Sequence, residues 1–283
     1  MVFEVERVIE KEQLEKLLAC HNANEKALGD EAFGPWLGVN CEIHPNDEIF
    51  KFFYGHPTCK NPLRDYFADG WRTSYELMIV LEEVGRSLAR CSSLLEFASG
   101  YGRFTRHLAR FPGADKVTVS DVMPGAVEFA VEKFGVSGFS SSAEPADVYF
   151  PRQYECIFVL SLFSHLPRAT WGPWLQRLYS AVEPGGCLVF TTHGDGFAKR
   201  NGVGLDSEGF FFVATSESDH LKGQEYGTTI TSPEFVEAMI RDLGSAEILL
   251  FRQDHFWSGQ DVWLLAKPPL GESLWGRIKK QFT

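Results

Sequence analysis

The sequence predicts an α/β fold in which helices connect the strands of a largely parallel sheet. Three observations point to it. From Ser93 to Lys267, short apolar runs alternate with amphipathic segments, the pattern of right-handed strand–helix–strand units. A glycine-rich turn, Ser99-Gly100-Tyr101-Gly102, joins the first apolar run to the first of these helices. The last two runs, residues 246–252 and 261–267, are separated by only a short polar turn at 254–259, so they pair antiparallel.

The elements follow in order. Residues 5–20 place Val5, Val8, Ile9, Leu14, Leu17 and Leu18 at helical spacing with Glu and Lys opposite, which predicts an amphipathic helix. Residues 21–62 mix Gly, Pro and Asn with aromatics, and residues 64–84 return to helical spacing. Residues 1–90 thus read as a helical N-terminal extension that caps the rest, with no Gly/Ser linker after it. Strands are expected at 94–98, 117–120, 136–141 and 154–161, with helices at 103–111 and 124–133, the latter with Pro124 in its first turn. The run 154–161 is nearly all apolar, as in a strand covered on both faces. A helix at 168–182, a Glu183-Pro184-Gly185-Gly186 turn and a fifth strand at 187–192 come next. Residues 193–231 form a long insertion, and loops of that length are functional or disordered; its Phe210-Phe211-Phe212 and Tyr226-Gly227-Thr228-Thr229 runs favour an ordered lid over the substrate, with an extra hairpin that pads the sheet as the alternative. A helix at 233–243 and the two final strands complete a sheet domain over 91–268, and 269–283 form a tail.

Composition excludes several classes of function. Lys and Arg number 27 against 38 Asp and Glu, a net charge of −11, so counterion release from a nucleic acid offers the chain little. The six cysteines form no C-x-x-C pair and match no zinc spacing, which predicts reduced thiols in a cytoplasmic protein without a structural metal. No apolar run approaches the roughly 18 residues a membrane span needs. The 24 Phe, against 4 Met, supply flat apolar surface, some of it for a pocket.

The glycine turn carries the chemistry. Glycines there let the backbone turn tightly and approach a ligand, and the helix behind them offers free N–H groups. Asp121 lies at the end of the second strand, where a carboxylate can accept from both hydroxyls of a ribose. The dinucleotide pattern G-x-G-x-x-G would need a third glycine where Thr105 stands. Glu96 would repel a pyrophosphate and suits a cationic group instead. An NAD-dependent oxidoreductase or epimerase is disfavoured on both counts.

These residues resemble the class I S-adenosylmethionine-dependent methyltransferases. Glu96-Phe97-Ala98-Ser99-Gly100-Tyr101-Gly102 is similar to their acid-x-Gly-x-Gly-x-Gly motif, with Ala98 in place of the first glycine. Ser142-Ala143-Glu144, Tyr154-Glu155-Cys156-Ile157 and Glu183-Pro184-Gly185-Gly186 resemble later motifs in the family's order, over roughly residues 90–268. The resemblance implies a Rossmann-like, seven-stranded, mostly parallel sheet with an antiparallel last strand. It implies S-adenosylmethionine as cofactor and S-adenosylhomocysteine as product. Glu96 would meet the cofactor's amino-acid end, and Ala98, Ser99, Gly100, Tyr101 and Gly102 would pass close to it. Asp121 would hold the ribose. Val122, Met123, Ala143 and Glu144 would neighbour the adenine, and Leu160 would end the fourth strand beside the cofactor.

The acceptor is expected to be a small molecule, methylated at a hydroxyl of a sugar or secondary metabolite, with an amine nitrogen as the alternative. A cofactor-binding subunit without turnover is a further reading. The segment Leu160-Ser161-Leu162-Phe163 lacks the Asp/Asn-Pro-Pro-aromatic motif of amino-methylating DNA enzymes, and Cys156 has no adjoining Pro as a cytosine-directed nucleophile would. His165 and His193, just past the fourth and fifth strands, are candidate general bases. Trp71, Arg72 and Tyr75 are further candidates for contact with the cofactor, and residues 275–280 are the one basic cluster.

Overall fold

The computed structural model describes residues 10–215, 218 and 220–271. Val5, Val8 and Ile9 of the expected first helix and the basic cluster at 275–280 lie outside them. The N-terminal extension comprises α1 (Lys11–Leu28), α2 (Phe33–Leu37), α3 (Glu48–Gly55) and α4 (Pro62–Glu83). Helices α2 and α3 come from the mixed stretch, whose turn residues hid them. The Asp47 carboxylate caps α3 by accepting from Phe50 N at 2.9 Å, and the Asn61 side chain caps α4 by accepting from Arg64 N at 3.0 Å. The sheet domain runs β1 (Leu94–Phe97), α5 (Thr105–Leu108), β2 (Val117–Asp121), α6 (Ala126–Phe134), β3 (Ser137–Ser140), β4 (Tyr154–Val159), α7 (Arg168–Ser180) and β5 (Val182–Thr192). It continues through α8 (Asp195–Asn201), β6 (Phe210–Val213), β7 (Thr228–Thr231), α9 (Pro233–Arg241), β8 (Glu247–Phe256) and β9 (Gln260–Ala266).

Seven strands lie in the order β3-β2-β1-β4-β5-β9-β8. The pairs β2–β3 and β4–β5 are parallel, and β9 is antiparallel to both β5 and β8. The antiparallel last strand is therefore as expected, and it inserts between β5 and the edge strand β8. Two boundaries moved for physical reasons. The Pro-Gly-Gly turn is a bulge at the start of β5: Gly185, at φ +85°, donates its N–H to Lys267 O at 2.8 Å. Pro124 precedes α6 rather than opening it, because Gly125 adopts the left-handed conformation at φ +77°. Five of the six cysteines are buried, Cys156 inside β4 among them. Among the described residues no helix is long and apolar enough to cross a membrane.

The described chain forms two compact units. The first holds residues 10–92, 96–142, 218 and 220; the second holds 93–95, 143–215 and 221–271. The first unit therefore joins the N-terminal extension to the glycine turn. Arg106 of α5 lies at its centre, only 2% exposed. Its Nε donates to Gly102 O at 3.0 Å, and its Nη1 donates to Asn40 O and Glu42 O at 3.0 and 2.9 Å. The guanidinium also lies 4.9 Å from the Phe134 ring centroid and 5.3 Å from that of Phe67. Arg103 forms a buried ion pair with Asp69 of α4. Gly70, next to Asp69, lets α4 and α5 meet, since a Cβ there would collide with the Arg103 carbonyl.

In the second unit the insertion folds as α8 and an antiparallel β6–β7 hairpin, packed through Phe197, Ala198, Ile230 and Phe211. Thr229 N donates to Ser164 O at 2.7 Å and Thr231 N to His193 O at 2.9 Å, which fastens β7 to the chain just past β4 and β5.

The Arg106 geometry sets an expectation. Arg106→Lys keeps the charge but cannot fork onto three carbonyls, so it should destabilise the protein by about 2 kcal/mol. Urea unfolding measures this, and a midpoint equal to that of the wild type would contradict it.

Candidate active site

In the first unit, Glu96 and Phe97 are the last two residues of β1, and the chain then turns through Ala98-Ser99-Gly100-Tyr101-Gly102 into α5. Three of these residues have positive φ: Ala98 (+59°), Gly100 (+55°) and Gly102 (+81°). At Gly102 a Cβ would also strike the Phe134 ring, whereas around Gly100 a Cβ would meet nothing within 4 Å. Gly100 thus combines a backbone that favours glycine with open space beside it. Ala98 N and Ser99 N donate to Ser120 O at 2.8 and 3.3 Å, tying the turn to β2.

Asp121 ends β2 and holds the turn from the other side. Its Oδ2 accepts from Gly100 N at 2.7 Å and its Oδ1 from Met123 N at 2.8 Å. Burial pushes its carboxyl upward, and backbone N–H groups of Met123, Gly100 and Val122 pull it back. Glu96, 4% exposed, has no such donors from the backbone. Burial pushes its carboxyl up to about 8; the Thr105 hydroxyl, donating to Oε2 at 2.6 Å, opposes the rise and the charge of Asp121 adds to it. Tyr101 is buried, donates to Pro124 O at 2.8 Å and stacks on His44 at 4.3 Å. Val122 is exposed and Met123 half-exposed beside the turn. Trp71 and Tyr75 are exposed and stack on each other at 6.0 Å, while Arg72 pairs with Glu76.

In the second unit, Ala143 and Glu144 are exposed and Leu160 is half-buried. His165 and His193 come together, with ring centroids 6.4 Å apart. His165 Nδ1 lies 2.7 Å from Gly227 O, and its ring stacks on Tyr226 at 4.3 Å. Burial lowers the His165 imidazole to about 4, and burial with the adjacent His165 lowers His193 to about 3. Both rings are therefore neutral at pH 7. Beside them Ser161, at φ +65°, donates its N–H to Thr191 Oγ1 at 2.8 Å. Thr191 donates to Gln260 Oε1, and Gln260 Nε2 donates to Ser161 Oγ at 2.6 Å, closing a ring of three side chains.

Comparison with known families gives one match. Residues 94–186 fit the family described as a methyltransferase domain. About a third of the chain is therefore similar to a methyltransferase domain. Solved structures show the same fold at low identity. A methyltransferase from Clostridium acetobutylicum has 13% identity and a TM-score of 0.51 over 70% of this chain and 91% of its own. Magnesium protoporphyrin IX methyltransferase from Synechocystis, with bound S-adenosylhomocysteine, has 14% identity and a TM-score of 0.51 over 78% and 93%. The 1,6-didemethyltoxoflavin N1-methyltransferase of Burkholderia thailandensis has 13% identity and a TM-score of 0.50 over 72% and 82%. No curated protein matches the chain.

Sequence reasoning missed three features of the methyltransferase domain. Thr105 counted only as an absent glycine, yet its hydroxyl is the partner of Glu96. Arg106 and Gln260 gave no signal, because nothing in their local sequence marks a side chain that bonds residues 66 and 99 positions away.

Two expectations follow. Glu96 has its carboxyl raised in the folded, ligand-free domain, so unfolding favours ionisation. Its contribution to stability is complete below about 4.5 and is lost as pH rises through about 8. Glu96→Gln should remove that part of the pH slope in urea unfolding, and equal slopes for the two proteins would refute it. Ala98→Gly should stabilise the domain by about 0.5 kcal/mol, the left-handed strain relieved less the entropy glycine adds to the unfolded chain. Thermal unfolding tests this, and a lower melting temperature for the variant would count against it.

Proposed function

We propose that the first unit binds S-adenosylmethionine at the Glu96–Gly102 turn and that the domain methylates a hydroxyl of a small molecule. The buried Glu96 carboxyl carries this reading. Its partners are a hydroxyl and the charge of a second carboxylate, so a cationic ligand group beside it would restore its ionised form. The cofactor's ammonium is such a group. Asp121 accepts from Gly100 N on one oxygen and Met123 N on the other, with Val122 N also acting on it, and a carboxylate has about four acceptor sites in all. What remains suits a ribose hydroxyl. The open space beside Gly100 gives the ligand room to approach the backbone. Ala98, Ser99, Tyr101, Val122 and Met123 complete the first unit's proposed contacts.

Bound there, S-adenosylmethionine supplies an activated methyl group. The chain's own task is to hold, orient and shield it, and to take a proton from the acceptor. A neutral imidazole near its bare nitrogen serves that last task, so His165 and His193 are the proposed bases. The need for a base favours a hydroxyl, because a neutral amine attacks with a free lone pair and loses its proton afterwards. The relatives of similar fold include an N1-methyltransferase, so the fold itself does not select the acceptor. The insertion over residues 193–231 is proposed to form part of the acceptor's surroundings.

Calorimetry with S-adenosylhomocysteine tests the cofactor half. Asp121→Ala should weaken binding by about tenfold, near the value of one charge-assisted hydrogen bond. NAD should give no heat. Unchanged affinity in a variant with wild-type circular dichroism, or tight binding of NAD, would overturn the assignment.

A further inference from the structure

Strand β7 and the residue before it hold both candidate histidines of the second unit, and they hold them differently. At His165 the partner is the Gly227 carbonyl, 2.7 Å from Nδ1. A carbonyl oxygen only accepts, so Nδ1 carries the proton and Nε2 is bare. Gly227 also donates its own N–H to the His165 carbonyl at 2.8 Å, so one residue grips His165 by ring and by backbone. At His193 strand β7 meets the backbone carbonyl, through Thr231 N at 2.9 Å, and the ring's Nδ1 has no partner among the described residues. Each ring lies flat on an aromatic neighbour, His165 on Tyr226 and His193 on Phe197 at 3.7 Å. The two differ in access. His193 is 7% exposed and its Nδ1 is enclosed, whereas His165 is half-buried.

We propose that the Gly227 carbonyl is a positioning group for methyl transfer, fixing His165 in the tautomer whose Nε2 receives the acceptor's proton, and that His193 is not a base. The proposal rests on the functional reading above and assigns the proton transfer to one of its two histidines. The acceptor's O–H proton moves to Nε2. The resulting imidazolium still donates through Nδ1 to Gly227 O, whose partial negative charge stabilises it, and Nε2 then releases the proton to water. The acceptor class follows from the same geometry. A bare imidazole nitrogen recognises a hydrogen-bond donor, so the reacting group is a neutral hydroxyl rather than a carboxylate. Gly227 is suited to its place because a Cβ there would collide with the Val213 carbonyl and lie 2.7 Å from the Phe212 ring, pushing the strand off His165.

The test uses the full chain labelled with nitrogen-15 histidine, read at neutral pH by two-bond proton–nitrogen spectra. The expected result is a protonated Nδ1 and a bare Nε2 at His165. Gly227→Ala should return His165 to a mixture of tautomers. His165→Asn keeps an N–H for the Gly227 carbonyl but has no Nε2, so it should fold normally and lose about a hundredfold in kcat with unchanged affinity for S-adenosylhomocysteine. His193→Asn should lose far less. A protonated Nε2 at His165 while the wild type methylates hydroxyl acceptors would overturn the positioning role alone. Full turnover by His165→Asn would overturn the base. Failure of the wild type to methylate any hydroxyl acceptor would overturn the functional reading and this proposal together.

Discussion

The first unit depends on a guanidinium buried with no single carboxylate as its counterion. Arg106 satisfies its donors on main-chain carbonyls of Asn40, Glu42 and Gly102, and on the Tyr66 hydroxyl at 3.3 Å. A charge at that depth is tolerated only when its hydrogen bonds are made, so the chain around it has little freedom to rearrange. The constraint runs both ways. It orders residues 40–42 of the N-terminal extension, and through Gly102 it orders the end of the glycine turn. The extension is therefore a structural partner of the turn, a link that the Tyr101–His44 stack and the Arg103–Asp69 pair reinforce.

Two carboxyls of the first unit show how the backbone divides roles between similar groups. Glu96 and Asp121 are both buried. Asp121 sits where the turn aims N–H groups at it, which favours the charged form. Glu96 has the Thr105 hydroxyl as its donor, so burial wins. Under the proposed function, one acid is prepared to accept hydrogen bonds from neutral hydroxyls and the other to ionise beside a cation.

The alternation of strands and helices was legible because period and length are local properties, and so were the glycine turn and the acid that ends β2. The N-terminal helices α2 and α3 were not, since their apolar residues sit among Gly, Pro and Asn that read as turns. The insertion was seen as a length and a Phe cluster, while its hairpin depended on β7 pairing with β6 and with the chain beyond β4 and β5. Ala98 read as a mild departure from a motif. Its φ of +59° shows that the backbone keeps the glycine conformation with alanine in it, held by the bond from Ala98 N to Ser120 O. The polar ring of Ser161, Thr191 and Gln260 was invisible for a simpler reason: each residue type is ordinary, and only the fold brings them together.

That ring gives the second unit its chemical character. Ser161 takes a left-handed turn at the end of β4, costly for a residue with a Cβ, and two side chains from neighbouring strands hold it there. The turn directs the chain to Ser164 and His165, whose carbonyls receive Thr229 and Gly227 of the hairpin. Strain at one residue thereby sets the register of a strand, and the strand sets the protonation of an imidazole. Around this chain of contacts charge is kept low. Both histidines are neutral and Arg200 is paired with Asp254. A surface of this kind discriminates by hydrogen-bond polarity more than by charge. An anionic acceptor would lose its hydration without gaining a cation in return. A neutral hydroxyl exchanges one hydrogen bond to water for one to His165, and its nucleophilicity then rests on how far that nitrogen takes the proton.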